Sequence, residues 1–390
     1  MNFEFATARQ VAFGRGRLDL LGELVASYGD RALVVAGRHL QRSETLQRLE
    51  YQLQKRGVAA ERVFATGEPE VAAVDETAAR ARALGSKVVV GIGGGSVLDL
   101  AKAASGLATN GGSVRDYLEG VGTGRALQKP ALPLIAVPTT AGTGSEVTRN
   151  AVVSSREEGF KKSIRSPLLL PAVALVDPAL TDSVPPAQTA ASGLDALTQL
   201  IEPYVSLRAQ PATDALALEG IRRAVKALPR AVEDGADRDA RDDMALASLL
   251  GGLCLANAGL GAVHGIAAAL GARFGIAHGV ACASVLWQTM EANVEALETR
   301  EASSPALERY ATIGEALTGE RFERSTDARA AGIAAAQSLV ARLEIPRLGE
   351  LGLAESSLAA VVKESRGSSM KSNPVVLTDA EIASILRAAL

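Results

Sequence analysis

Asp195 and Gln199 lie four residues apart in ASGLDALTQLIEPYVS (191–206), a stretch of helical period. Their side chains therefore leave the same face of one helix. A carboxylate is a good ligand for a divalent cation, whereas a carboxamide oxygen is weak and neutral, so the pair suggests a metal site without completing one. Only three histidines are present, His39, His264 and His278, and their scarcity makes each worth placing. A second chemistry-bearing stretch is GIGGGSVLDLAK (91–102). Gly93, Gly94 and Gly95 let a bulky anion approach the backbone without Cβ interference. Ser96 can cap the helix that follows, whose N-terminus offers free N–H groups to a phosphate. The glycines can equally serve only the shape of a tight turn. Asp99 and Lys102, one helical turn apart, either support each other, reach the ligand, or form an ordinary surface pair. A third stretch, PTTAGTGSEVTRN (138–150), brings the hydroxyls of Thr139, Thr140, Thr143 and Ser145 just after an apolar run. In an open parallel sheet ligands sit beyond the carboxyl ends of strands, so two such loops read as a pyrophosphate and ribose cradle.

The elements that must position these residues follow from periodicity. RALVVAG (31–37), a run within 57–66, KVVVGIGGG (87–95), PLIAVPTTAG (133–142) and AVALVDPAL (172–180) read as strands. Helical patterns over 43–57 and 71–85 separate the first of them, which implies parallel βαβ units. From about residue 185 the chain is almost continuously helical, broken by Gly and Pro. PALTDSVPPAQ (178–188) is the expected boundary. TREASSPALE (299–308) and GERFERSTDARAA (319–331) read as solvated linkers or helix ends.

The 390-residue length favours two domains. A net charge of −3 with no basic stripe argues against nucleic acid and against a membrane surface. No apolar run is long enough to span a bilayer, and MNFEFATARQVAFGRG lacks the apolar core of a signal peptide. Two cysteines, Cys254 and Cys282, without a CxxC spacing argue against a disulfide scaffold or a thiolate zinc site. They fit a reducing cytoplasm.

GGGSVLDLAK resembles the GGGSxxDxAK signature of the iron-containing (group III) alcohol dehydrogenases, and PTTAGTGSEVT resembles their second nucleotide loop. The likeness continues in order through KKSIRSPLLLPAVALVDP (161–178), GLDALTQLIEPYVS (193–206), GAVHGIAAALGARFGIAHG (261–279) and SMKSNPVVLTDAEI (369–382). The resemblance implies a dehydroquinate synthase-like fold. An α/β Rossmann-like domain (1–184) would bind the nucleotide, and an all-α domain (185–390) would bind metal and substrate, with a cleft between them. It also implies NAD(H) or NADP(H), a divalent metal, a homodimer, and hydride transfer with a small alcohol or aldehyde.

Carried over by position, Gly93, Gly94, Gly95 and Ser96 fall on the pyrophosphate loop, and Thr139, Thr140 and Thr143 on the second loop. Asn150 and Lys161 fall near the nicotinamide and its ribose. The implied metal set is one Asp and three His, of which Asp195, His264 and His278 match, while Gln199 stands where the remaining His belongs. Ala268 replaces a second His that many members carry four residues after His264. A His₂-carboxylate set suffices for catalytic zinc and also suits Fe(II). Gln199 would then add a weak oxygen or orient a water. The alternatives are a metal-independent reductase of the same family, similar to maleylacetate reductases, a metal-assisted lyase or cyclase on the same fold, and a nucleotide-binding protein whose metal site has decayed. Gly37 ends the first strand where many NAD-preferring relatives carry Asp. With that carboxylate missing and Arg38 next to it, NADP(H) is expected over NAD(H). Cys254, Trp287 and Lys371 are candidate pocket residues.

Overall fold

The computed structural model describes residues 2–390, which divide into two compact units. One comprises 6–140 and 144–181; the other comprises 2–5, 141–143 and 182–390.

The first unit is built on a six-stranded sheet. Its strands are β1 (Gln10–Phe13), β2 (Arg31–Gly37), β3 (Ala59–Ala65), β4 (Val88–Gly93), β5 (Leu134–Pro138) and, after a two-stranded hairpin of β6 (Asn150–Ser155) and β7 (Phe160–Arg165), β8 (Val173–Val176). All neighbours in the order β1-β8-β5-β4-β2-β3 are parallel. Four helices cover the sheet: α1 (Leu21–Tyr28), α2 (Glu44–Lys55), α3 (Val71–Leu84) and α4 (Gly95–Asn110). Alternation within β2 explains why both faces are covered. Leu33 and Val35 join a core with Ala78 and Leu98, while Ala32, Val34 and Ala36 join a separate core with Leu21 and Leu49. A strand apolar on both sides needs a helix on each side.

Counted from β2, five of the strands run in the order 2-1-3-4-5, with β1 added beside β8. This is the doubly wound order whose switch point, and hence whose ligand crevice, lies between β2 and β4 at their carboxyl ends. The register aligns those ends, pairing Ala36 with Ile92 and Gly93 with Pro138. The loops opening at Arg38, Gly94 and Thr139 therefore emerge on one edge of the sheet.

The expected strands are all present; β2 keeps the bounds read for it and the others are somewhat shorter. β1 and the β6–β7 hairpin were not expected. β1 is only four residues long and half exposed, and the apolar positions of the hairpin are interrupted by Lys161, Lys162 and Arg165. Such short edge elements carry too little pattern to read.

Helices make up the second unit: α5 (Pro186–Val205), α6 (Pro211–Glu233), α7 (Arg238–Ala258), α8 (Ala262–Phe274), α9 (His278–Arg300), α10 (Pro305–Thr318), α11 (Ser325–Arg342), α12 (Leu358–Glu364) and α13 (Asp379–Ala388). The solvated stretches expected at 299–308 and 319–331 include the breaks before α10 and α11. α5 lies deep in this core, with Leu194, Leu197, Leu200 and Ile201 all buried. Close approach needs glycine at two places. A Cβ on Gly193 would lie 2.2 Å from Leu228, and one on Gly279 would lie 2.6 Å from the Ala191 carbonyl oxygen. The second contact presses the start of α9 against α5. No single helix among the described residues is long and apolar enough to cross a membrane.

Candidate active site

Three helices of the second unit deliver the polar cluster. α5 carries Asp195, Gln199 and Glu202, spaced i, i+4 and i+7 along one face and all buried. α8 places His264 in its first turn, and α9 begins at His278. His264 Nε2 lies 3.3 Å from Asp195 Oδ1 and His278 Nε2 lies 3.7 Å from the same oxygen. The two imidazole centroids are 5.3 Å apart. Asp195 is 2% exposed and His264 4%, yet Asp195 Oδ1, Gln199 Oε1 and His264 Nε2 have no hydrogen-bond partner among the described residues. Leaving such atoms unpaired is costly, and their convergence fits a cation. Donor chemistry agrees, since one carboxylate and two imidazoles are an ordinary zinc or iron(II) set.

Glu202, absent from the expectations, orients this set. Its Oε1 accepts the Val263 N–H at 2.7 Å, and its Oε2 lies 2.6 Å from His264 Nδ1. The carboxylate thus caps α8, where the helix dipole favours negative charge. Because a carboxylate only accepts, Nδ1 carries a proton, which leaves Nε2, 3.3 Å from Asp195 Oδ1, as the nitrogen whose lone pair a cation would take in place of a proton. The spacing signal was available, as Glu202 is seven residues after Asp195 on the same face. Gln199 is held differently, its Nε2 donating to the Gly142 carbonyl at 3.3 Å.

Cys282 was also missed. Two cysteines without a CxxC argued against a disulfide scaffold or a thiolate zinc site. However, Cys282 Sγ lies 3.8 Å from His278 Nε2, and the donor atoms of Asp195, His264, His278 and Cys282 all fall within 4.8 Å of one another. The counting rule addresses sites made of several thiols, not one thiol joining imidazoles. His278 and Cys282 stand four apart at the start of a helix, the same spacing that singled out Asp195 and Gln199.

Charge follows from this crowding. Burial alone would raise the Asp195 carboxyl, but the imidazoles of His278 and His264 outweigh it and hold it at about 2. Burial opposes the charged form of His264, yet Cys282, Glu202 and Asp195 raise it well above the ordinary imidazole value. Cys282 and then Asp195 raise His278 against the effect of burial.

In the sheet unit, α4 starts at Gly95 with Gly94 as its N-cap and no side-chain capping bond, so Ser96 occupies the second helical position and is not the cap. A Cβ on Gly93 would lie 2.5 Å from Val97, and one on Gly94 would lie 3.3 Å from Thr140 Oγ1. The glycines therefore serve close packing at the start of α4, where the Val97 N–H donates to the Gly94 carbonyl at 3.0 Å. Thr139 is buried and Thr140 half-buried beside this turn. Thr143 belongs to the helical unit with Gly142.

Lys102 is neither a surface residue nor directed outward. It is 0% exposed, and its ammonium donates to Ser145 O, Ser145 Oγ, Thr148 Oγ1 and Asn150 O at 2.8–2.9 Å. Asp99 accepts from Ser145 Oγ at 2.7 Å and from the Val152 N–H at 3.0 Å. Asp99, Ser145 and the Asn150 carbonyl, expected near the cofactor, are thus engaged in one internal network.

Lys161 pairs with Glu68, which lines a cavity of about 420 Å³ beyond β3 together with Thr66, Gly67, Ser96 and Leu100. At the end of β2, Gly37 is buried while Arg38 and His39 are exposed. A Cβ on Gly37 would lie 2.6 Å from the His39 ring. Of the candidate pocket residues, Cys254 is a core group whose Sγ donates to the Thr213 carbonyl at 3.4 Å. Trp287 packs partly buried against the helical core, and Lys371 is exposed. Ala268 is exposed on α8.

The family model described as "Iron-containing alcohol dehydrogenase" matches residues 8–178, and that of the "Fe-containing alcohol dehydrogenase family, C-terminal" matches residues 189–390. The chain belongs to the iron-containing alcohol dehydrogenase family. Among curated relatives of this dehydrogenase, "Long-chain-alcohol dehydrogenase 1" of Geobacillus thermodenitrificans (strain NG80-2) is 41% identical over 326 residues, covering 83% of this chain and 80% of the relative. "Alcohol dehydrogenase 4" of Saccharomyces cerevisiae (strain YJM789) is 36% identical over 381 residues, covering 97% and 96%. A solved 1,3-propanediol oxidoreductase superimposes with a TM-score of 0.92 at 33% identity, covering 100% of both chains. The protein is accordingly an oxidoreductase acting on CH–OH groups, and its family implies a nicotinamide nucleotide and a metal.

Proposed function

We propose that this dehydrogenase is metal-assisted, with Asp195, His264 and His278 holding one divalent cation and a small alcohol or aldehyde as substrate. The observation that carries the reading is the pair of buried, unpartnered donors, Asp195 Oδ1 and His264 Nε2, aimed at one point beside His278. When bound, the nicotinamide exchanges the hydride and the cation polarises the substrate C–O bond. Asp195 and the imidazoles bind and orient, and Glu202 keeps the His264 lone pair directed inward. The glycine-led start of α4 and the hydroxyls of Thr139, Thr140 and Thr143 would receive the dinucleotide, with Lys161 toward its nicotinamide ribose. Ala268 offers no imidazole to move the proton, so exchange would run through solvent and the ribose.

NADP(H) is the preferred nucleotide on this reading. No carboxylate stands at Gly37 to repel a 2′-phosphate, and the exposed Arg38 is free to meet one. The helical half is rich in Ala, Gly and Leu around His264, which supports a small, fairly apolar substrate. Oxidation of NADPH and NADH with a panel of aldehydes, with and without added Fe(II) or Zn(II), tests both parts. Turnover that survives complete metal removal would replace the metal-assisted reading with a metal-independent reductase. A large preference for NADH would overturn the nucleotide assignment.

A further inference from the structure

We propose that Cys282 is a further protein donor to the cation held by Asp195, His264 and His278, bound as a thiolate. The proposal rests on the metal-assisted reading above. In a tetrahedral site, bonds of about 2.0–2.3 Å to nitrogen, oxygen and sulfur separate neighbouring donors by roughly 3.3–3.8 Å. Three of the six separations fall in that range: 3.3 Å from His264 to Asp195, 3.7 Å from His278 to Asp195 and 3.8 Å from Cys282 to His278. All four donor atoms lie within 4.8 Å of one another. The unpartnered Asp195 Oδ1 and His264 Nε2 point to a ligand independently of the sulfur.

The other cysteine supplies an internal control. Cys254 is equally buried, but its Sγ–H is spent on the Thr213 carbonyl at 3.4 Å. Cys282 instead directs its sulfur at an imidazole nitrogen. Gln199 has its amide nitrogen on Gly142, and its oxygen remains a neutral, hard and weak donor beside a thiolate. Binding converts the Cys282 thiol to thiolate and releases its proton to solvent, with no electron transferred. A softer donor favours zinc over iron(II). Zinc's ability to expand to five ligands keeps a place for substrate.

Cobalt(II) reports sulfur ligation by a sulfur-to-metal charge-transfer band in the near ultraviolet. The full-length chain, stripped with chelator and reloaded with cobalt, is expected to take up a single ion and to show that band. Cys282→Ser should lose the band, while Cys254→Ser and Gln199→Ala should keep it. X-ray absorption on the zinc-loaded, unmutated chain asks the same question without a variant, and one sulfur neighbour at about 2.3 Å is expected. In competition, the preference for zinc over iron(II) should shrink about ten-fold or more in Cys282→Ser; an unchanged preference overturns the zinc bias. A cobalt-loaded chain without the band, a band that survives Cys282→Ser, or zinc with no sulfur neighbour overturns the proposal and leaves the Asp195–His264–His278 site standing. Failure of the unmutated chain to take up cobalt or zinc, or uptake undiminished by Asp195→Ala, overturns the metal-assisted reading and the proposal with it.

Discussion

The Lys102 network of the sheet unit and the Asp195 cluster of the helical unit are both buried, polar and built partly from charged groups, yet they are finished in opposite ways. Every donor of the Lys102 ammonium meets an oxygen, and both oxygens of Asp99 accept a hydrogen bond. Around Asp195 the supporting bonds are equally good, with Glu202 held to His264 at 2.6 Å, but the inward-facing atoms of Asp195, Gln199 and His264 are left without partners. A saturated buried network stiffens the fold, tying α4 to the start of β6. An equally buried network with a ring of orphaned acceptors is built around something the chain does not itself contain. Burial and charge alone would not separate the two; the satisfaction of each atom does.

Removing a donor on the unsaturated side should have the largest effect. Asp195→Ala or His278→Ala is expected to lose bound metal and turnover together, with kcat/KM falling about 1,000-fold or more, since Lewis-acid assistance is worth several kcal/mol. Metal analysis beside steady-state kinetics checks this, and normal turnover in a metal-free variant would erase the contrast. On the saturated side, Lys102→Met should destabilise the sheet unit by about 3–5 kcal/mol by stranding Asp99 and the Ser145 and Asn150 carbonyls. Denaturant unfolding measures the loss, and a stability near the unmutated value would show that the network is not structural. Glu202→Gln tests the support of the metal site. It should weaken metal binding about 10–100-fold while leaving unfolding little changed, as read by chelator competition.

The effect confined to a pH window concerns Glu146, buried near Lys102. Burial raises its carboxyl from 4.5 to about 7, more than its own backbone N–H and Lys102 lower it. Its folded value lies above the unfolded one, so the stability it contributes is complete below about pH 4.5 and lost as pH rises through 7. Glu146→Gln lacks this slope. Relative to the unmutated chain it should gain about 1.4 kcal/mol per pH unit between those limits, on the order of 3 kcal/mol across them, measured by unfolding at a series of pH values. Lys102 titrates at about 8 and stays outside that window. A parallel pH dependence in both proteins would remove Glu146 from the comparison.

Much of this was legible without coordinates. Parallel strands with helices on both faces follow from β-branched runs alternating with helical periods, because a strand apolar on both sides has no other stable setting. The α5 pair Asp195 and Gln199 could be placed on one face because helix geometry is local. Local pattern left Lys102 open, because an i,i+3 acid–base pair looks the same whether its helix is exposed or covered; four oxygens from residues 145–150 decide that it is covered. Nor could it find Cys282, since nothing in the spacing of two cysteines says what the third helix of a site brings to the other two.

The amino-acid sequence by itself determined the alternation of strands and helices, the glycine turn and the helix faces on which Asp195, Gln199 and Glu202 stand, because these depend on contacts a few residues long. Only the tertiary structure decided which buried polar atoms find partners, which stay orphaned around Asp195, and which of the two cysteines turns its sulfur toward them. Those outcomes depend on how α5, α8 and α9 pack across gaps of some 60–90 residues, a distance over which spacing carries no geometric information.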